Sequence, residues 1–149
     1  MLATFSSFAD EKTVTDANDN FHQGQIFYEN DNFAAAEVSF RKAISQSPDH
    51  SRYHHGLAKT YGELAETSGW LKAIRFADNA KKSLDRAVEL DPKNVAALTD
   101  LMEYYKQAPR FLGGSDKKAK EISNRLEKLK GKNAHSFIYH YENSSRQNS

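Results

Sequence analysis

Two stretches decide the fold: residues 36–48, AEVSFRKAISQSP, and residues 80–92, AKKSLDRAVELDP. Both stretches run from an alanine through an apolar residue and a second alanine to a proline, in the same order and at the same spacing. Apolar positions three and four apart predict an amphipathic helix, and the proline marks where that helix ends. The chain therefore contains a repeated helical unit.

The composition limits the classes of protein that fit. At 149 residues, with 38% hydrophobic and 28% charged residues, the chain has the size and composition of one globular domain. The net charge of +1 predicts no general attraction to nucleic acid or membrane. The absence of cysteine excludes disulfides, thiolate metal sites and a cysteine nucleophile. No apolar run is long enough for a membrane span.

The first repeated unit, residues 16–49, predicts two helices joined by a tight turn at ENDN, residues 29–32. Gly24 and Ala36 are small, so we expect the two helices to cross most closely beside them. The apolar face of the second helix consists of Phe33, Ala36, Phe40, Ala43 and Ile44.

This order of small and aromatic residues resembles the tetratricopeptide repeat, a helix–turn–helix unit of about 34 residues. Tyr61 stands 34 positions after Phe27, as a second repeat requires, but Ala80 stands 44 positions after Ala36. Ten extra residues therefore separate Tyr61 from Ala80, and we expect both helices of the second repeat to be longer. The residues expected to pack together there are Leu64, Trp70, Leu71 and Ile74. Trp70 closes the core of this longer hairpin, or it stands exposed as a binding anchor.

The resemblance implies an all-α, right-handed solenoid of about three repeats, similar to bacterial members of the family. The repeats cover residues 16–49, 50–93 and 94–132. Ser115 is placed to cap the last repeat helix. AHSFIYHYEN, residues 134–143, is expected to form a separate capping helix within residues 133–149, and SSRQNS, residues 144–149, is expected to be disordered.

Residues 1–9, MLATFSSFA, predict the end of a signal peptide. Ser7 and Ala9 are small enough for signal peptidase, and cleavage would leave Asp10 first. Residues 10–15 are then a leader before the repeats. We expect a periplasmic or secreted protein, with a cytoplasmic one as the alternative.

The resemblance also implies function: a non-catalytic module, without cofactor or metal, that binds a peptide or helix of another protein in its concave groove. Nucleic acid is not an expected partner, and self-association is compatible with the acidic residues 1–40 and the basic residues 117–132. The repeat positions that face such a groove are Asn18, Phe21, Gln25, Tyr28, Arg52, His55, Lys59, Glu63, Thr99, Glu103 and Lys106.

Some co-chaperones of the family hold a C-terminal carboxylate with lysines and asparagines at fixed positions. In this sequence the matching positions carry Phe21, Gln25, Gly56, Ala96 and Asp100. That clamp is absent, so binding of a chaperone tail is not expected.

Two other functions remain as alternatives. The basic residues 117–132 suit nucleic acid or another polyanion, although the acidic first repeat argues against it. His50, His54 and His55 suggest a metal-dependent hydrolase, but no third ligand lies at a fixed short spacing.

The repeat register makes a stability prediction. Ala36→Leu or Ala80→Leu places a larger side chain where two helices cross, so each substitution is expected to cost roughly 1–3 kcal/mol. Thermal melts followed by circular dichroism measure this cost. An unchanged melting temperature in both variants would show that the assigned register is wrong.

Overall fold

The computed structural model describes the backbone of residues 5–146 and the side chains of residues 16–131. Within residues 5–146 the chain forms α-helices and one short 3-10 helix, with no strand, so the all-α expectation is confirmed. The helices are α1 (Phe5–Glu29), α2 (Phe33–Gln46), α3 (Ser51–Thr67), α4 (Trp70–Leu90), α5 (Val95–Gln107) and α6 (Asp116–Arg146), with the 3-10 helix at Arg110–Leu112.

The chain divides into two compact units, Met1–Ala97 and Leu98–Ser149. In the first unit α1 packs against α2, α2 against α3 and α3 against α4. Two antiparallel hairpins therefore lie side by side, and each covers an apolar face that the other could not bury alone.

The core of the first unit is built around the ring of Phe40 on α2, which is 2% exposed. Gly24 on α1 and Gly56 on α3 approach this ring from either side. An ideal Cβ on Gly24 would lie 2.7 Å from Phe40 Cδ1, and one on Gly56 would lie 2.8 Å from Phe40 Cε1. Only hydrogen fits at either position, so the two glycines let three helices meet on one aromatic ring.

Polar side chains define the ends of the helices. The Asn32 side chain, at the end of the predicted turn ENDN, accepts a hydrogen bond from the backbone N–H of Ala35 and caps α2. The Ser51 hydroxyl donates to the Ala87 carbonyl at 2.7 Å and accepts from the Asn94 amide at 2.8 Å. These bonds join the start of α3 to the end of α4.

The second unit turns between α5 and α6 through a compact loop. The Tyr104 hydroxyl donates to the Leu112 carbonyl at 2.8 Å, and Gly113 takes a left-handed φ of 90°. The Ser115 hydroxyl accepts from the backbone N–H of Lys118, so the predicted cap of α6 is present. Among residues 98–131, the buried apolar side chains are those of Leu98, Leu101, Tyr105, Ala119 and Leu126.

Both ends of the described chain differ from the expectation. α1 begins at Phe5, so residues 5–9 of the expected signal peptide and residues 10–15 of the expected leader are helical; neither proline nor glycine interrupts the chain before Gly24. α6 continues to Arg146 without a separate capping helix, because one internal glycine, Gly131, costs only about 1 kcal/mol and does not end a helix. Residues 1–4 of the expected signal peptide and residues 147–149 of the expected tail lie outside the described residues.

The expected packing of Trp70 and Leu71 is wrong. Trp70 is 72% exposed and Leu71 is 68% exposed, whereas Leu64 packs against the core and Ile74 is half-buried. The Tyr28 hydroxyl bonds to Glu63, and α3 continues four residues past this contact while α1 continues one. The extra turns of the second hairpin therefore extend beyond the first hairpin, where no side chain among residues 16–97 covers Trp70 and Leu71.

The helices of the described part of the chain can be compared with what a membrane span requires. None of its helices combines the length and the apolar character that crossing a membrane requires.

The two glycines on Phe40 make a testable prediction. Gly24→Ala and Gly56→Ala each gain about 1 kcal/mol of helix propensity but overpack a ring that has no room to move, at a cost of about 1–3 kcal/mol. We therefore expect both variants to unfold at lower denaturant concentration than the wild type.

Gly62→Ala is the matched control, since Gly62 lies in the interior of α3 and no atom lies within 4 Å of its ideal Cβ. This variant is expected to be more stable by about 0.5–1 kcal/mol. If all three alanines stabilise the protein equally, the proposed constraint on Phe40 is absent.

Candidate binding groove

A groove of about 360 Å³ opens in the first unit between α1 and α3. Residues 21, 25 and 28 share one face of α1, and residues 52, 55, 56 and 59 share one face of α3, because helical neighbours lie three and four positions apart. The groove is lined by Phe21, Gln25, Tyr28, Glu29, Phe40, Arg52, His55, Gly56 and Lys59.

The floor of the groove is aromatic and belongs to the core. Phe21 is 7% exposed, and its ring centroid lies 5.7 Å from that of Phe40 and 4.9 Å from that of Tyr53. Gly56 has no side chain to cover the Phe40 ring on the α3 side. The floor is therefore rigid, because displacing either phenylalanine would disrupt the packing of the hairpins.

The α3 side of the groove carries positive charge. Arg52 Cζ lies 5.1 Å from the centroid of the Phe21 ring, and Lys59 Nζ lies 4.6 Å from that of the Tyr28 ring. Each cation is attracted to the electron-rich face of its ring, which restrains two long and exposed side chains. Arg52 also donates to Asn18 Oδ1 at 2.5 Å.

Tyr28 is held in one orientation at the end of the groove. Its hydroxyl donates to Glu63 Oε1 at 3.0 Å, and its ring meets Phe33 edge-on at a centroid distance of 5.5 Å. The side chain is half-buried against the core. An aromatic face is thus presented to the groove before any ligand arrives, which reduces the entropy lost on binding.

Residues 20–50 match the family model of the tetratricopeptide repeat. The chain carries a tetratricopeptide repeat and has the tetratricopeptide fold. Among solved structures it is similar to the TPR domain of Arabidopsis OM64, with a TM-score of 0.55 and 20% identity over 78% of this chain and 98% of that one. At this identity the similarity shows the fold alone. No curated protein matches the chain.

Six of the residues predicted to face the tetratricopeptide groove line this cavity: Phe21, Gln25, Tyr28, Arg52, His55 and Lys59. Two others hold the helices together beside it, since Asn18 accepts from the Tyr53 hydroxyl at 2.7 Å and Glu63 accepts from Tyr28. The remaining three, Thr99, Glu103 and Lys106, belong to the second unit.

Three lining residues escaped the sequence analysis: Glu29, Phe40 and Gly56. Phe40 was assigned to the core and Gly56 to a position of the clamp. The sequence held part of the signal, because Gly56 has no side chain to separate the Phe40 ring from the groove, but the approach of α2 to α3 is decided only by the tertiary structure.

Two histidines of the cluster His50, His54 and His55 contact residues close to them in the sequence. His54 Nε2 lies 2.7 Å from the Pro48 carbonyl oxygen, and the His50 ring lies 4.8 Å from the Tyr53 ring between centroids. Within residues 16–131 no group of three or more histidine, aspartate or glutamate side chains is placed to hold a metal ion.

Two residues outside the groove have shifted pKa values, each with a structural cause. Burial raises the pKa of the Tyr61 hydroxyl, and the nearby Glu37 carboxylate raises it further. The hydrogen bond from Gln107 lowers the pKa of Glu103, and Lys106 lowers it further.

The Tyr28–Glu63 hydrogen bond predicts energetic coupling across the groove. Tyr28→Phe and Glu63→Ala remove the same interaction, so the double variant should lose less stability than the two single losses added together. We expect a coupling of about 1 kcal/mol in a double-mutant cycle measured by urea unfolding. Purely additive losses would show that the bond does not restrain Tyr28 in solution.

Proposed function

We propose that this chain is a non-catalytic protein-interaction module whose groove binds a peptide segment carrying a large apolar side chain next to an acidic one. One observation carries the proposal: the cavity combines a buried aromatic floor, Phe21 and Phe40, with a cationic side, Arg52 and Lys59. The tetratricopeptide fold supports it, since solenoids of this kind generally bind other proteins on their concave surface.

The size and floor of the groove favour a single apolar anchor. About 360 Å³ is at the lower end of the range for ligand sites, which suits one large side chain better than an extended ligand. An aromatic residue buries roughly 150–250 Å², and each Å² of apolar surface contributes about 25 cal/mol. The rigid floor lets most of this energy appear as affinity, because little must be reorganised.

The charges favour an acidic neighbour for that anchor. Among residues 16–131, neither Arg52 nor Lys59 forms an ion pair with a carboxylate. Both keep N–H donors for a ligand, since a guanidinium has five donors and an ammonium three. Without the clamp lysines and asparagines, we expect the acidic group to be an aspartate or glutamate side chain within the peptide.

Selection of random displayed peptides on the whole protein tests the proposal. The retained peptides should share a large apolar residue within one helical turn of an aspartate or glutamate. Calorimetry with the tightest peptide should then show about thirty-fold weaker binding, about 2 kcal/mol, for Arg52→Ala with Lys59→Ala. Both side chains are exposed, so the melting temperature should hardly change.

Lys82→Ala with Asp85→Ala is the control pair on α4, because neither residue lines the groove and each forms a separate ion pair, Lys82 with Asp78 and Asp85 with Lys81. Binding should be unchanged in this pair. The proposal fails if no peptide is retained, or if the control pair weakens binding and the groove pair does not.

A further inference from the structure

The second hairpin ends in an exposed apolar tip, which we define as residues 66–74. Among residues 16–97, Trp70 and Leu71 are the most exposed large apolar residues. Ile74 lies one turn further along α4, so the three side chains form one continuous apolar face. Exposed apolar residues are ordinary when scattered, but a tryptophan beside a leucine on a projecting turn is typical of a contact surface.

Packing among residues 16–131 accounts for Leu64 and Phe76 of this lengthened hairpin, but not for Trp70 and Leu71. α3 has 17 residues and α4 has 21, whereas α2 has 14. The connection at residues 68 and 69 is short, and the ideal Cβ of Gly69 meets no atom within 4 Å. The additional turns therefore present Trp70 to solvent at a position that the first hairpin does not reach.

The tip carries the two kinds of side chain that the proposed ligand of the groove requires, a large apolar residue and an acidic one. Glu66, in the last turn of α3, and Lys72, in the first turn of α4, are both exposed, and Glu66 precedes Trp70 by four residues in the sequence. The groove offers the complementary set, since Arg52 and Lys59 are cationic and Glu29 is acidic. The tip thus carries a large apolar anchor and a carboxylate within the same short segment.

We propose that the tip of one copy of this chain docks into the groove of a second copy, with Trp70 on the Phe21–Phe40 floor and Glu66 beside Arg52 and Lys59. The inference rests on the groove being a docking surface, as proposed above. Because tip and groove are different surfaces, the contact is head-to-tail, and each docked copy still offers a free tip or a free groove. Assembly therefore continues with concentration into short chains of copies.

The only tryptophan of the sequence reports this contact directly. Trp70 fluorescence should shift to shorter wavelength as the wild-type concentration rises from micromolar to millimolar, and the mass measured by sedimentation should rise in parallel. The tip variant Glu66→Lys with Leu71→Ser keeps the reporter, and the groove variant is Arg52→Ala with Lys59→Glu. Each variant alone should dissociate at least about thirty-fold more readily than the wild type.

Mixing the two variants is the decisive step. The mixture pairs one intact tip with one intact groove, so it should form a dimer of one copy of each variant and stop there. The control pair Lys82→Ala with Asp85→Ala should assemble like the wild type.

Three results would overturn the inference. The first is a wild type that stays monomeric to millimolar concentration; if peptide binding persists in the same sample, the groove function stands and only self-docking fails. The second is loss of assembly in the tip variant but not in the groove variant, which would indicate a tip-to-tip contact. The third is a fluorescence shift of a still monomeric wild type on vesicles of anionic phospholipid, which would assign the tip to a membrane surface.

Discussion

The packing of Phe40 against Gly24 and Gly56 is the contact on which the rest of the first unit depends. Its ring occupies the space that side chains at the two glycines would fill, so α1, α2 and α3 approach one another around a single aromatic residue. A larger side chain at Gly24 would push α1 away from α2, and one at Gly56 would push α3 away from α2. The spacing of the hairpins, and with it the width of the groove, follows from this contact.

Core and groove share residues, so the proposed recognition of a ligand would depend on the same packing that stabilises the fold. Phe21 and Phe40 are buried among the hairpins, yet they also form the floor on which a ligand would rest. Such a floor cannot adapt freely to different ligands, because its shape is set by folding. Specificity is then expected to depend on the exposed side chains around it, above all Arg52 and Lys59, which can change without cost to the core.

The second hairpin has two parts, one that packs as an ordinary repeat and one that forms an additional exposed surface. Its first turns of α3 and last turns of α4 follow the ordinary pattern, with Leu57, Tyr61 and Leu84 buried. The extra residues bring Leu64 and Phe76 onto the core but leave Trp70 and Leu71 in solvent. A lengthened hairpin thus adds a surface without altering the packing that defines the fold.

The sequence by itself determined the repeat helices, the turn at ENDN and the buried positions Ala36, Phe40 and Ala43 of α2, because these follow from spacing along a single chain. It also indicated six groove residues, since the repeat places Tyr28 and Lys59 on helix faces that a hairpin leaves open. Only the tertiary structure decided that Trp70 is exposed and that Phe40 reaches the groove floor. The burial of a side chain depends on how far the neighbouring helix extends and on which residues of that helix are glycines. The periodicity of one helix gives no information about either.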